Sequence, residues 1–329
     1  MTQQFLRACT LSLSGSSSLS VPGGGPTDLR IEFAIGASTI QSPNPARFRI
    51  TNPNPQTIAS FKNKEFQTVT LEAGYQDNAG LIYSGDVKQS LYAHAEDNVT
   101  AYIDVFCAEG GNAYQQSHVN KTLSAGWKPQ DKVQLALDAM KAHGITGLGL
   151  VNVDLSQPAR PRGRAVVGMA RDILREVALS AGAVWSMQGG QVHILDHTKP
   201  VKSDGPVVLN SSTGLIGWPQ QTEDGIIARC LINPAIKVHT QVKIDQSSIN
   251  GAEQDNNPIT GPASQKNFNL NNTGQIAADG IYRVIFMEIE GDTRGQSWYM
   301  TLTLLATGAS PTDAQKQAGA DSQPTLGDR

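Results

Sequence analysis

No apolar run in this 329-residue chain approaches the ~20 residues that a membrane-spanning helix needs. No membrane anchor is expected. No secretory leader is legible either: Phe5 and Leu6 are followed by Arg7, and no apolar core develops. Synthesis in a reducing cytoplasm is the expectation, so the sequons at Asn98, Asn120, Asn210 and Asn271 carry no glycan information. Cysteine is scarce. Cys9, Cys107 and Cys230 are odd in number and far apart, which excludes a disulfide framework and metal-ligand spacing. All three lie in apolar or alternating runs and are expected to be buried, reduced thiols. Charged residues are 17% of the chain and the formal net charge is -3, so the basic excess of a nucleic-acid-binding protein is missing. That does not exclude a pore through which nucleic acid passes.

Catalytic motifs are also missing. There is no Gly-x-Ser-x-Gly elbow. The glycine run in residues 15–26, GSSSLSVPGGGP, lacks a Lys-Ser/Thr ending and a following helix, so it reads as a flexible loop and not a phosphate cradle. The pairs Glu96-Asp97 and Glu223-Asp224 read as solvated turn carboxylates. His193 and His197 share a face of an extended segment but stand ~13 Å apart, too far for shared metal ligation. No catalytic residue, cofactor or metal is expected, although counting residues leaves a Ser/His/Asp triad open.

What is present is β texture. In residues 46–75 a strand alternates Arg47, Phe48, Arg49 and Ile50. The turn Asn52-Pro53-Asn54-Pro55 stops it. A short helix follows, then a strand with Val69 and Leu71 on one face. Six strands are predicted in the first part, over 5–14, 28–37, 46–51, 67–74, 80–91 and 99–108. Residues 109–205 change character. Pro129 opens a helix over 129–143, a second helix runs over 168–180, and Gly189-Gly190 turns a hairpin between Val184 and Ile194. From Pro206 strands return, over 207–210, 215–218, 226–233, 236–245, 281–290 and 297–306, with a polar insert at about 246–280. Residues 307–329 have the composition of a flexible tail.

The expected fold is mainly β with a smaller α/β part. A β domain spans 1–108, a small α/β domain of two helices and a hairpin 109–205, and a second β domain 206–306. Each β domain reads as an antiparallel barrel or sandwich. The repetition rests on strand count, not on residue identity.

Candidate interface residues are Trp218, in the turn Gly217-Trp218-Pro219, and Arg160, Arg162 and Arg164, the densest basic patch. Phe268 and Leu270 are core-forming residues within the polar insert and join that set. Trp185 and Trp298 are expected to fill cores.

The segments RGRAVVGMARDILREVA, WSMQGGQVHIL, VVLNSSTGLIGWPQQTEDGIIARCLINPAIKVHTQVKID and DGIYRVIFMEIEGDTRGQSWYMTL, with RFRITNPN and VTLEAGY upstream, resemble the baseplate hub proteins of contractile-tailed bacteriophages, the phage hub or protein D-like group. The resemblance covers most of residues 5–306. It implies two tail-tube-like β-barrels per chain around a small α/β domain. It implies a non-enzymatic homotrimer, a virion protein of the tail, that adapts a six-fold tube to a three-fold spike. The implied partners are the tail tube or tube-initiator protein, the spike, the tape-measure protein and baseplate wedge proteins, with DNA only as transiting cargo. A tail-associated cell-wall-degrading enzyme would need clustered carboxylates. A tandem carbohydrate-binding module would need a face of exposed aromatics, and aromatics are 6% of the chain.

Overall fold

The computed structural model describes residues 6–25, 27–95, 99–156, 158–196, 199, 205–222, 225–245 and 279–306. The first segment holds β1 (Arg7–Gly15), β2 (Ser18–Gly23), β3 (Ile31–Ser38), β4 (Pro45–Thr51), α1 (Pro55–Lys62), β5 (Phe66–Tyr75), β6 (Asn78–His94) and β7 (Ala101–Ala108). The middle holds α2 (Gly111–Gln116), β8 (His118–Leu123), α3 (Pro129–Lys141), β9 (Gly147–Val151), β10 (Arg164–Met169), α4 (Ala170–Ser180), β11 (Val184–Gln188) and β12 (Gln191–Leu195). The last holds β13 (Val207–Leu209), β14 (Leu215–Thr222), β15 (Gly225–Leu231), β16 (Gln241–Ile244), β17 (Ile281–Asp292) and β18 (Trp298–Ala306).

Local chemistry sets these boundaries. The Asn54 side chain accepts a hydrogen bond from the Thr57 amide at 2.7 Å, and Pro55 occupies the first turn, so α1 starts where β4 must stop. Gly189 and Gly190 both have positive φ, 58° and 73°, which the tight β11–β12 turn requires.

The first and last segments share one sheet. Its order is β14-β15-β18-β17-β3-β4-β7-β6-β5-β1-β2, with β16 also paired to β17 and β13 to β16. Pairing is antiparallel except at β13–β16. The sheet does not close into a barrel among the described residues; it runs open from β14 to β2. One hydrophobic core backs both segments, from Leu11 and Phe48 to Trp298 and Leu304. The middle segment has its own core around Trp185, Met140 and Leu174.

Three expectations are corrected. Residues 18–23 form β2, not loop: Leu19 and Val21 face Leu13 and Leu11 of β1, a period-two signal hidden among serines and glycines. Residues 236–240 are not strand; β16 begins at Gln241. The middle segment adds β8, β9, β10 and the short α2 to the expected helices and hairpin. Its sheets are β10-β8 and β11-β12-β9.

The strand order contains a repeat. Reading β14-β15-β18-β17 and then β3-β4-β7-β6 gives the same connectivity twice. The registers agree residue by residue. Val87 pairs Cys107 and Val284 pairs Leu304; 284 − 87 and 304 − 107 are both 197. That offset holds to His94–Ala101 and Gly291–Trp298, and both hairpins carry a bulge at the same place, Val87/Gln89 and Val284/Phe286. Likewise Arg49 pairs Asp104 and Arg229 pairs Thr301, an offset of 180 between β4 and β15. Bulges that recur in register are built features of a strand pair. The two repeats meet where β3 pairs β17 antiparallel, from Ser38–Phe286 to Glu32–Asp292.

Candidate assembly surface

At this seam one sheet face is polar and the other apolar, as alternation along β3, β4, β7 and β17 dictates. Asp104 sits at the centre of the polar face. It accepts from Arg47 at 2.7 Å and from Arg49 at 2.8 and 3.0 Å. Burial alone would raise the Asp104 carboxyl, but the hydrogen bonds from Arg49 and Arg47 outweigh it and hold it below the usual range. Arg30 grips Asp292 through two bonds, at 3.1 and 2.7 Å, and reaches Glu32 at 2.8 Å. Glu288 and Glu290 extend the face along β17; burial and then Glu290 push the Glu288 carboxyl up. Arg30, Arg47 and Arg49 are thus each matched by carboxylate on this face. Arg49 also stacks over Tyr102 at 4.1 Å, and the repeat reproduces the pair, Arg229 over Tyr299 at 4.4 Å.

On the apolar face the seam is tight. A Cβ added to Gly291 would meet the Phe33 ring at 2.1 Å, and Phe33 meets Trp298 edge-on at 5.5 Å. Trp185 and Trp298 are both buried.

Trp218 lies on β14, the strand that ends the sheet, and is 64% exposed. It stands in a bulge between Ile216 and Gln220, where β14 has two more residues than its counterpart β3. The arginines are elsewhere. Arg160 and Arg162 lie in the exposed loop before β10, and Arg164 begins β10 and reaches Glu176 of α4 at 2.9 Å. The loop is pinned by Trp127: its indole N–H donates to the Arg162 carbonyl, and the Arg160 amide donates to the Trp127 carbonyl. Trp218 and the arginines therefore belong to different sheets and different cores. Phe268, Leu270, His197 and the pairs Glu96-Asp97 and Glu223-Asp224 lie outside the described residues.

A buried polar cluster that the sequence did not flag joins the two cores. The Glu109 carboxylate accepts from the Asn44 side chain at 2.7 Å and from the Gly189 amide at 2.5 Å. Asn44 also donates to the Met187 carbonyl and the Gln188 side chain. Burial raises the Glu109 carboxyl despite the donors around it. Its only linear signal is a carboxylate at the end of an apolar strand.

The described residues thus present a repeated sheet with open edges at β14 and β2, and they hold no cluster of three metal-ligating side chains. A family model described as baseplate hub gp41 matches residues 49–261. The chain belongs to that family. The hub's fold is found in solved structures at low identity. The 43 kDa tail protein of prophage MuSo2 from Shewanella oneidensis aligns with a TM-score of 0.53 at 11% identity, over 91% of this chain and 97% of that one. The tail protein from Neisseria meningitidis MC58 gives 0.53 at 8%, over 95% and 99%. A Francisella PdpA–VgrG complex, half-lidded, gives 0.50 at 8%, over 93% of this hub and 59% of that chain. No curated protein matches the sequence. No helix of the described residues is long and apolar enough to cross a membrane.

Proposed function

We propose that this baseplate hub is a non-enzymatic structural protein of a contractile phage tail. Three copies form a ring that adapts the six-fold tube above to the three-fold spike below. The observation that carries the reading is the internal repeat: each chain presents two β units of one connectivity and one register. Three copies then present six near-equivalent units to the tube while keeping three-fold symmetry for the spike. The polar seam face lines the channel for tape-measure protein and DNA. The guanidinium groups of Arg30, Arg47 and Arg49 are engaged by Asp104, Asp292 and Glu32, which lowers their pull on transiting phosphate. Trp218 and the arginine loop meet neighbours in the baseplate.

Light scattering with negative-stain images of the same fractions tests this. The expected species has about three times the 35.1 kDa chain mass and a central pore. A monodisperse monomer that also ignores added spike protein would remove the ring reading.

A further inference from the structure

The repeat assigns the contact between neighbouring copies. Within one chain, β17 of the second repeat is covered by β3 of the first. The counterpart of β17 is β6, and the counterpart of β3 is β14. Residues 89–94 of β6 have no described strand on the side away from β7, because β5 pairs β6 only as far as Asp86. β14 likewise has a described neighbour on one side alone. We infer that residues 91–94 of β6 in one copy pair antiparallel with β14 of the next copy, in the register of the β3–β17 seam. This rests on the ring reading and specifies its joint.

Burial distinguishes the occupied joint from the open one. Ile289 on β17 is 1% exposed beneath β3, whereas Tyr92, at the same position of β6, is 38% exposed. Leu91, Ile216 and Trp218 are exposed at the same two edges. A groove of about 420 Å³ runs along this stretch of β6, lined by Phe61, Phe66, Val87, Tyr92 and Ile103. Lys62, Lys64 and Lys88 line it as well, and it runs beside the unpaired stretch of β6 along which a strand could be added. The occupant is a second copy, because the internal seam shows the geometry that β14 would adopt there. Carrying the β3–β17 pairs across the repeat places Leu91 opposite Thr222 and Ala93 opposite Gln220. Trp218, in the bulge, arrives level with His94, next to the Tyr92–His94 ring pair. Closing both edges also removes the open strand backbone that a monomer leaves exposed.

The test is the double variant Ala93→Cys with Gln220→Cys, oxidised in the full chain. Opposed Cβ atoms in an antiparallel pair are close enough for a disulfide, and diagonal ones are not. The expected result is a covalent trimer on a non-reducing gel, with at least tenfold less product from Leu91→Cys with Gln220→Cys. In parallel, Trp218→Ala should raise the concentration at which trimer forms at least tenfold while thermal unfolding of the monomer is unchanged. A trimer by light scattering without the in-register cross-link overturns the joint and leaves the ring. A monomer without cross-link, both alone and with added spike protein, overturns both.

Discussion

Asp104 is the residue on which the polar face turns. Its side chain is 7% exposed and serves two arginines that are 21% and 23% exposed. Asp104→Asn should lower stability by roughly 2 kcal/mol, the scale of hydrogen bonds to a charged group, read as a shift in the denaturant midpoint. The folded-state value is below the unfolded one, so the contribution is present above the unfolded value and is lost as pH falls through the folded one. The gap between wild type and variant should therefore narrow in acid. The three thiols make a second residue-scale prediction. Burial pushes Cys9 and Cys230 up to about 12 and Cys107 higher still. A thiol reagent at pH 8 should find no fast-reacting cysteine in the native chain and three after unfolding; one fast thiol in the native chain would contradict this.

At the scale of elements, the seam between β3 and β17 depends on the absence of a side chain at Gly291. Gly291→Ala forces a methyl into the Phe33 ring and should cost about 1–3 kcal/mol, whereas the same change at Gly147, which has open space around it, should cost far less. Thermal melts of both variants compare them directly. Elements are also where the sequence was most and least legible. Strands whose apolar period stands out against charge, such as β4 with Arg47 and Arg49, could be read to within a residue or two. β2 could not, because serine and glycine mask Leu19 and Val21. β10 escaped because its exposed face carries Ala165 and Val167 where polar residues would mark alternation, and β8 because exposed Lys121 interrupts the Val119–Leu123 face. The Asp104 and Glu109 clusters join residues 55 to 144 positions apart, which no local pattern reports.

At the scale of the molecule, the Glu109 cluster is a buried polar tie between the cores, beside others such as Arg175 with Gln41. Glu109→Ala leaves the Gly189 amide without its acceptor and Asn44 with only Met187 and Gln188, and should cost about 1–3 kcal/mol. Hydrogen exchange should show the β11–β12 turn opening before the large sheet does. Because burial raises the Glu109 carboxyl, its relative contribution is greatest below the unfolded value and declines as pH rises through the folded one. The sequence suggested a repetition of two six-strand domains, whereas the repeat in the sheet is a unit of four strands. Its register was not legible, since the paired positions differ in type: Phe48 answers to Ala228, and Ile50 to Cys230. What persists is geometry, with bulge against bulge and Arg49–Tyr102 against Arg229–Tyr299.

The β3–β17 seam forms inside a single chain, so it closes on folding and needs no encounter between molecules. Rings of separate units close at whatever number their curvature permits, and a miscount by one is an error of a few degrees. Units joined in pairs cannot miscount by one. In the proposed ring, the peptide chain between β7 and β13 would fix parity, and a five- or seven-membered ring would be excluded by covalent connection before curvature is consulted.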